Sequence, residues 1–169
     1  VYLILPVVLP IVGGAVMPFL HLSEKKRNLY LEILVILTSI TAFLCVFRRP
    51  EEGFTLFHLT GNLDFALRLD GLGSMFTCLI AFLWPLATLY AFEYMRHEKH
   101  TTGFFCFYTM TYGVTLGIAM AKNLVTMYLF YELLTLVSVY LVMQPMTKKA
   151  LYASRVYLYY SIGGAAFAF

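Results

Sequence analysis

The stretch Leu124–Met143, LVTMYLFYELLTLVSVYLVM, is a run of 20 residues that is apolar or weakly polar except at Glu132, near its middle. As a helix it is about 30 Å long, enough to cross the hydrocarbon core of a bilayer. An ionisable group at the membrane centre costs about 2.5 to 3.5 kcal/mol even on permissive insertion scales, so a carboxyl there needs a partner or a task. Glu132 is therefore expected to face protein or water, not lipid.

Composition sets the same scene for the whole chain. Hydrophobic residues make up 61% and charged residues 12% of the sequence, about half the charge of an ordinary soluble domain, and the mean hydropathy is +0.79. The chain reads as an integral membrane protein. Its first 20 residues lack a basic region and a small-residue cleavage site and contain Pro6, Pro10 and Pro18, so they read as a first spanning helix and not as a signal peptide. Cys45, Cys78 and Cys106 lie in apolar runs without ligand spacing, which suggests neither a disulfide framework nor a metal site. They read as small buried hydrophobes.

Apolar runs and charged breaks alternate along the chain. They predict helices over Tyr2–Leu20, Leu29–Phe47, Leu72–Met95, Phe104–Met120 and Leu124–Met143, with a sixth starting near Tyr152 and cut short at Phe169. The chain opens on Val1 and stops within the apolar stretch Ile162–Phe169. This pattern predicts cut ends, or one segment of a longer or split protein. With the amino terminus outside, Lys25, Lys26, Arg27, Arg96, Lys99, Lys148, Lys149 and Arg155 fall on the cytoplasmic side, against Arg48, Arg49, Arg68 and Lys122 opposite. The positive-inside rule favours that orientation, and the net charge of +3 then needs no nucleic acid or acidic partner.

Between the second and third helices, Leu63, Phe65, Leu67 and Leu69 alternate with Asp64, Ala66, Arg68 and Asp70, after Phe54, Leu56 and a Thr60–Gly61–Asn62 break. Period-two alternation predicts a short β-hairpin on the outer face. It serves as a structural cap or as a docking surface for a neighbouring subunit. Gly113 and Gly117 form a G-x-x-x-G pair continued by Ala121, which predicts close helix packing inside one bundle. Trp84 and Pro85 predict a structural kink in helix three. Glu32 and Glu93 read as lying near helix ends, where a charged head reaches the interface.

Several chemistries find no residues here. His21, His58, His97 and His100 fall in loops or at helix ends, where they cannot ligate a haem buried in the bundle. There is no cysteine cluster, no Gly-rich phosphate loop and no Ser, His and Asp set for a nucleophile. No cofactor, metal or redox chemistry is therefore expected in this chain. Proton or cation handling remains. Tyr128, Glu132 and Thr135 share one side of helix five at i, i+4 and i+7, and Tyr152, Arg155 and Tyr159 form a second stripe on helix six. A carboxyl whose proton affinity responds to burial and to a nearby cation can load and unload a proton.

The stretch KNLVTMYLFYELLTLVSVYLV, Lys122–Val142, resembles the fifth-helix signature of the antiporter-like membrane subunits shared by Mrp cation/proton antiporters, respiratory complex I and energy-converting membrane hydrogenases. Leu67–Phe76 (LRLDGLGSMF) resembles that family's passage from outer hairpin to helix three, with Asp70 at an acidic position. Ala150–Gly164 (ALYASRVYLYYSIGG) resembles its sixth-helix entry, with Arg155 where Lys is common. The likeness covers helices one to six, weakly in the first two, which corresponds to the amino-terminal third of a family member. It implies two inverted helical repeats in the whole subunit, and a glutamate at Glu132 that pairs with a lysine on helix seven and gates proton transfer. Helix seven lies beyond this sequence, so the lysine is expected from a following segment or another chain.

The sequence thus predicts an all-α integral membrane protein, a single membrane domain over residues 1–169 with about six transmembrane helices and a short outer β-hairpin. It is expected in the plasma membrane, amino terminus outside, beside other membrane subunits of a multi-subunit complex such as an antiporter, an NADH-quinone oxidoreductase or a membrane-bound hydrogenase. The expected function is H+ or Na+ translocation with Glu132 as a mid-membrane relay and Tyr128, Thr135, Arg155, Tyr152 and Tyr159 lining the path. The alternative is a non-conducting structural or assembly subunit of the same kind of complex.

Overall fold

A computed structural model describes residues 2–48, 53–60, 63–98, 101–144 and 146–168. Arg49, Lys99, His100, Gly61, Asn62 and the chain ends Val1 and Phe169, all used in the sequence reading, lie outside the described residues, as do the side chains of His58 and Leu63.

Among the described residues, six α-helices and one hairpin follow each other. Helix α1 (Leu5–Val16) is extended by 3-10 turns at Tyr2–Ile4 and Met17–Leu20. It is followed by α2 (Glu24–Arg48), the antiparallel strands β1 (Phe54–Thr60) and β2 (Leu63–Leu67), α3 (Gly71–Tyr94), α4 (Thr101–Ala119), α5 (Leu124–Met143) and α6 (Lys148–Ala168). Among the described residues, four segments are long and apolar enough to cross a membrane: Tyr2–Leu20, Glu24–Arg48, Gly71–His97 and Leu124–Met143. The other two helices are more polar. Helix α4 is the most enclosed, with Phe105, Thr109, Tyr112, Val114 and Leu116 all buried by neighbouring helices, so it need not be apolar all round.

The surface is inverted relative to that of a water-soluble bundle. Leu79, Phe82, Leu86 and Leu89 of α3 and Leu129, Leu133 and Leu136 of α5 point outward, whereas Thr38, Ser39, Thr77, Thr88, Thr109 and Thr135 are buried. Lipid solvates the first set, and the second needs hydrogen-bond partners inside the protein. Most find one a turn back: Thr38, Ser39, Thr88 and Thr109 donate to the carbonyls of Leu34, Val35, Trp84 and Phe105, at 2.8 to 3.0 Å. The chain is a multi-pass membrane protein.

Helix α4 packs along α1 on one side and α5 on the other. Two glycines make this possible. A Cβ at Gly113 would strike the Val7 carbonyl of α1 and come within 2.9 Å of Pro10, and one at Gly117 would meet the Phe130 ring of α5. The G-x-x-x-G pair therefore serves packing within the bundle, as the sequence suggested. Helix α3 runs through Pro85 without interruption, and Trp84 stacks on Tyr112 of α4 with ring centroids 4.8 Å apart.

The hairpin closes one end. Its register pairs Phe54 with Leu67 and Thr60 with Leu63, with irregularities between Thr55 and Phe57 and between His58 and Thr60. Phe65 stacks on Phe57 and packs against Phe130, with centroids 5.1 and 5.3 Å apart. Ala66 and Leu67 are both fully buried, so the in-out alternation expected from the sequence breaks down at the end of β2. The reason is that this strand docks edge-on to the α4–α5 turn: Arg68 N–H donates to Met120 O at 2.7 Å and Lys122 N–H to Ala66 O at 2.9 Å. Asp70 caps α3, its Oδ1 accepting the Gly73 N–H at 2.6 Å.

Helix α2 begins at Glu24, not Leu29, and this moves Glu32 two turns inside the helix. Its carboxyl does not reach the interface; Oε2 is buried. Glu93 behaves as expected, exposed and 3.4 Å from Arg96. Arg27, one of the cations that the positive-inside rule assigns to the cytoplasmic side, is buried and donates to the Thr101 hydroxyl of α4 at 2.7 Å.

Gly113→Leu is expected to cost about 1 to 3 kcal/mol or more through overpacking, and to lower the amount of folded subunit recovered from membranes. Gly163→Leu is the control, since a Cβ there meets nothing within 4 Å. Equal recovery of the two variants would contradict the packing described for α1 and α4.

Candidate functional site

The α4–α5 turn sets the position of Glu132. Asn123 takes extended backbone angles and caps α5, its Oδ1 accepting the Thr126 N–H at 2.8 Å, while its Nδ2 donates to Asp64 O at 2.6 Å. The Thr126 hydroxyl in turn accepts the Ala66 N–H at 3.1 Å. A side chain that caps a helix while gripping the hairpin fixes both the start and the depth of α5. From there Glu132 stands about 12 Å along the axis, near the middle of the span.

Glu132 is half-buried. Tyr128 stands one turn earlier, beside its carboxyl, and Oε1 is buried with no hydrogen-bond partner among the described residues. An acceptor oxygen enclosed without a donor is costly in a low dielectric unless water or a cation reaches it. One turn later Thr135 is buried, with its hydroxyl 3.2 Å from Tyr131 O and 3.1 Å from the Ser161 hydroxyl of α6. Ser138 continues the line, 2.9 Å from the Tyr157 hydroxyl. A groove of about 350 Å³ opens beside Tyr128, lined by Leu124, Met127, Tyr131, Gly164 and Ala165.

The structure therefore brings Tyr128, Glu132 and Thr135 together, as their spacing suggested. It does not bring the second stripe to them. Tyr152 and Tyr159 are 72% and 79% exposed and Arg155 is also exposed, on the side of α6 away from α5. Ser154, Ser161 and Ala165 are the α6 residues turned inward or towards α5, with Tyr157 reaching Ser138. Sequence reasoning missed Ser138, Tyr157 and Ser161. The available signal was the small-residue spacing Ser154, Ser161, Ala165, which lets two membrane helices approach.

Three comparisons bear on this arrangement. The family described as "NADH-Ubiquinone oxidoreductase (complex I), chain 5 N-terminus" matches residues 57–105, from the hairpin to the start of α4. The Na(+)/H(+) antiporter subunit A1 of Staphylococcus haemolyticus is 29% identical over 150 residues, 85% of this chain and 19% of that protein. By these matches the chain is similar to the Mrp/complex I-like family of membrane subunits. The subunit A1 of Staphylococcus aureus is 28% identical over 133 residues, 75% of this chain and 17% of that protein. The chain thus spans about a fifth of the length of these relatives. In fold it is similar to a chain of the membrane-bound sulfane sulfur reductase, an archaeal respiratory membrane complex, with a TM-score of 0.78 at 16% identity, covering 96% of this chain and 34% of that one.

Coupling between Thr135 and Ser161 is measurable by a double-mutant cycle with Thr135→Val and Ser161→Ala. Interhelical hydroxyl bonds in membranes average about 0.6 kcal/mol and reach about 1.7. A coupling energy in that range is expected from reversible unfolding in detergent; strict additivity would mean that the α5–α6 contact is not held by this bond.

Proposed function

We propose that this chain forms part of a proton or sodium path in a plasma-membrane complex, with Glu132 as its proton relay. The observation that carries the proposal is the Glu132 carboxyl, mid-span and half-buried, beside Tyr128 and with Oε1 enclosed without a hydrogen-bond partner among the described residues. The whole-length relatives are named as subunits of Na+/H+ antiporters, and ion translocation comes to this chain as an inference from that likeness. Other membrane subunits, or further helices, are then needed on the outward face of α6, where Tyr152, Arg155 and Tyr159 stand ready to line a path completed by a partner.

The mechanism uses proton transfer alone. A hydronium ion gives its proton to the carboxylate, which holds it as a neutral acid suited to the low dielectric. Approach of a cationic group, a lysine by family resemblance, then favours the carboxylate and releases the proton to the next water. Tyr128 orients the carboxyl, and the hydroxyls of Thr135, Ser161, Ser138 and Tyr157 offer a continuing line of donors and acceptors.

Glu132→Gln keeps size and hydrogen bonding but cannot titrate, so coupled transport in vesicles holding the complex should fall by about a hundredfold. Glu132→Asp should keep a part. Assembly of the Gln variant should equal or exceed that of the parent, because a buried carboxyl is costly. Wild-type uptake by the Gln variant, normalised to assembled complex, would leave the chain a structural subunit. Orientation is checked separately: a cysteine at Phe57 should react with an impermeant reagent from outside the cell, and one at Glu98 only after permeabilisation.

A further inference from the structure

A second set of buried polar groups lies between α2, α3 and α4, on the far side of α4 from α5. Four buried atoms there have no hydrogen-bond partner among the described residues: Glu32 Oε2, Trp84 Nε1, Thr77 Oγ1 and Tyr108 Oη. Tyr108 connects the first two. Its ring lies 5.4 Å from that of Trp84, and its buried hydroxyl lies within electrostatic reach of the Glu32 carboxyl. Further along the same seam, Ser39 and Tyr112 share a hydrogen bond of 2.8 Å, and Trp84 stacks on Tyr112. At the opposite end Arg27 holds Thr101. A polar ladder therefore follows α4 from Thr101 through Tyr108 to Tyr112, with Glu32 about 12 Å inside the start of α2.

These atoms are complementary through a mediator. The indole N–H can only donate and a carboxylate oxygen can only accept, whereas a water does both and needs two to four polar partners to be held in a buried place. An N–H donor also repels a metal cation, so the trio does not suit Na+. Arg27, the nearest fixed cation along α2, is already engaged by Thr101, Thr102 and Asn28, and Tyr30 donates to Gly13 O.

We propose that Glu32, Trp84 and Tyr108 frame a second proton-holding site, bridged by water between α2, α3 and α4 and separate from Glu132. A hydronium ion arriving along the seam transfers its proton to the Glu32 carboxylate and leaves as water; the new O–H bond breaks when the next water accepts the proton, and no electron moves. The Trp84 N–H orients the bridging water, and Tyr108 separates the site from the α4 interior. This inference does not depend on a relay at Glu132.

The test is proton uptake into vesicles that contain the complex holding this chain, under an imposed potassium diffusion potential, with uptake normalised to assembled complex. Glu32→Gln should slow uptake by about tenfold, and Glu32→Asp should recover part of the loss. Trp84→Phe keeps a ring against Tyr112 and deletes only the N–H, so it should cause a smaller, several-fold loss with normal assembly. Wild-type uptake in both Glu32→Gln and Trp84→Phe overturns the proposal; where Glu32→Gln does not assemble, Trp84→Phe decides alone. A parallel Glu132→Gln arm keeps the two readings apart: loss only at Glu132 overturns the second site, and loss only at Glu32 and Trp84 supports it while removing the relay at Glu132.

Discussion

The depth of Glu132 in the membrane depends on the grip of β2 on the α4–α5 turn. Backbone bonds from Arg68 to Met120 and from Lys122 to Ala66 hold the turn as if it were a third strand, and Asn123 and Thr126 add side-chain bonds to Asp64 and Ala66. Buried away from water, each such bond is costly to lose. A one-residue slip here would turn α5 by about 100°, carrying Glu132 round with it and taking Thr135 out of register with Ser161 of α6.

The second organising constraint is that lipid offers helices no hydrophobic drive to associate. Association in this bundle comes from shape and from enclosed hydroxyls. Gly113 and Gly117 let α4 touch α1 and α5, Trp84 and Tyr112 stack across α3 and α4, and Ser39 and Tyr112 join α2 to α4. The buried Arg27 fits the same logic, its guanidinium satisfied by Thr101 and Asn28 and lying 5.1 Å from the Phe105 ring centroid.

Much of the fold was legible in the sequence because hydropathy alone marks spans. Helix α5 has the predicted limits, since Asn123 is both a polar break and a cap. Helices α2 and α6 start earlier than predicted, at Glu24 and Lys148, because charges that end an apolar run do not end a helix; Glu24 in the first turn even favours it. That displacement hid Glu32. For α6, periodicity identified a stripe but not which stripe meets α5, and the small residues Ser154 and Ser161 won over Tyr152, Arg155 and Tyr159 because close approach selects small side chains. The hairpin was readable from its alternation, whereas its partner was not, since nothing local in Leu63–Leu67 points to a turn some 60 residues later.

That separation along the chain has a bearing on biosynthesis. A lone two-stranded hairpin is marginally stable, and Met120, Lys122, Asn123 and Thr126, which dock this strand, lie in the α4–α5 turn and the first turn of α5. The strands must therefore wait, largely unsecured, while α3 and α4 are made and threaded into the bilayer. Docking is completed only as Asn123 and Thr126 emerge, so the step that secures the hairpin is also the step that sets the starting point for the helix carrying the buried acid.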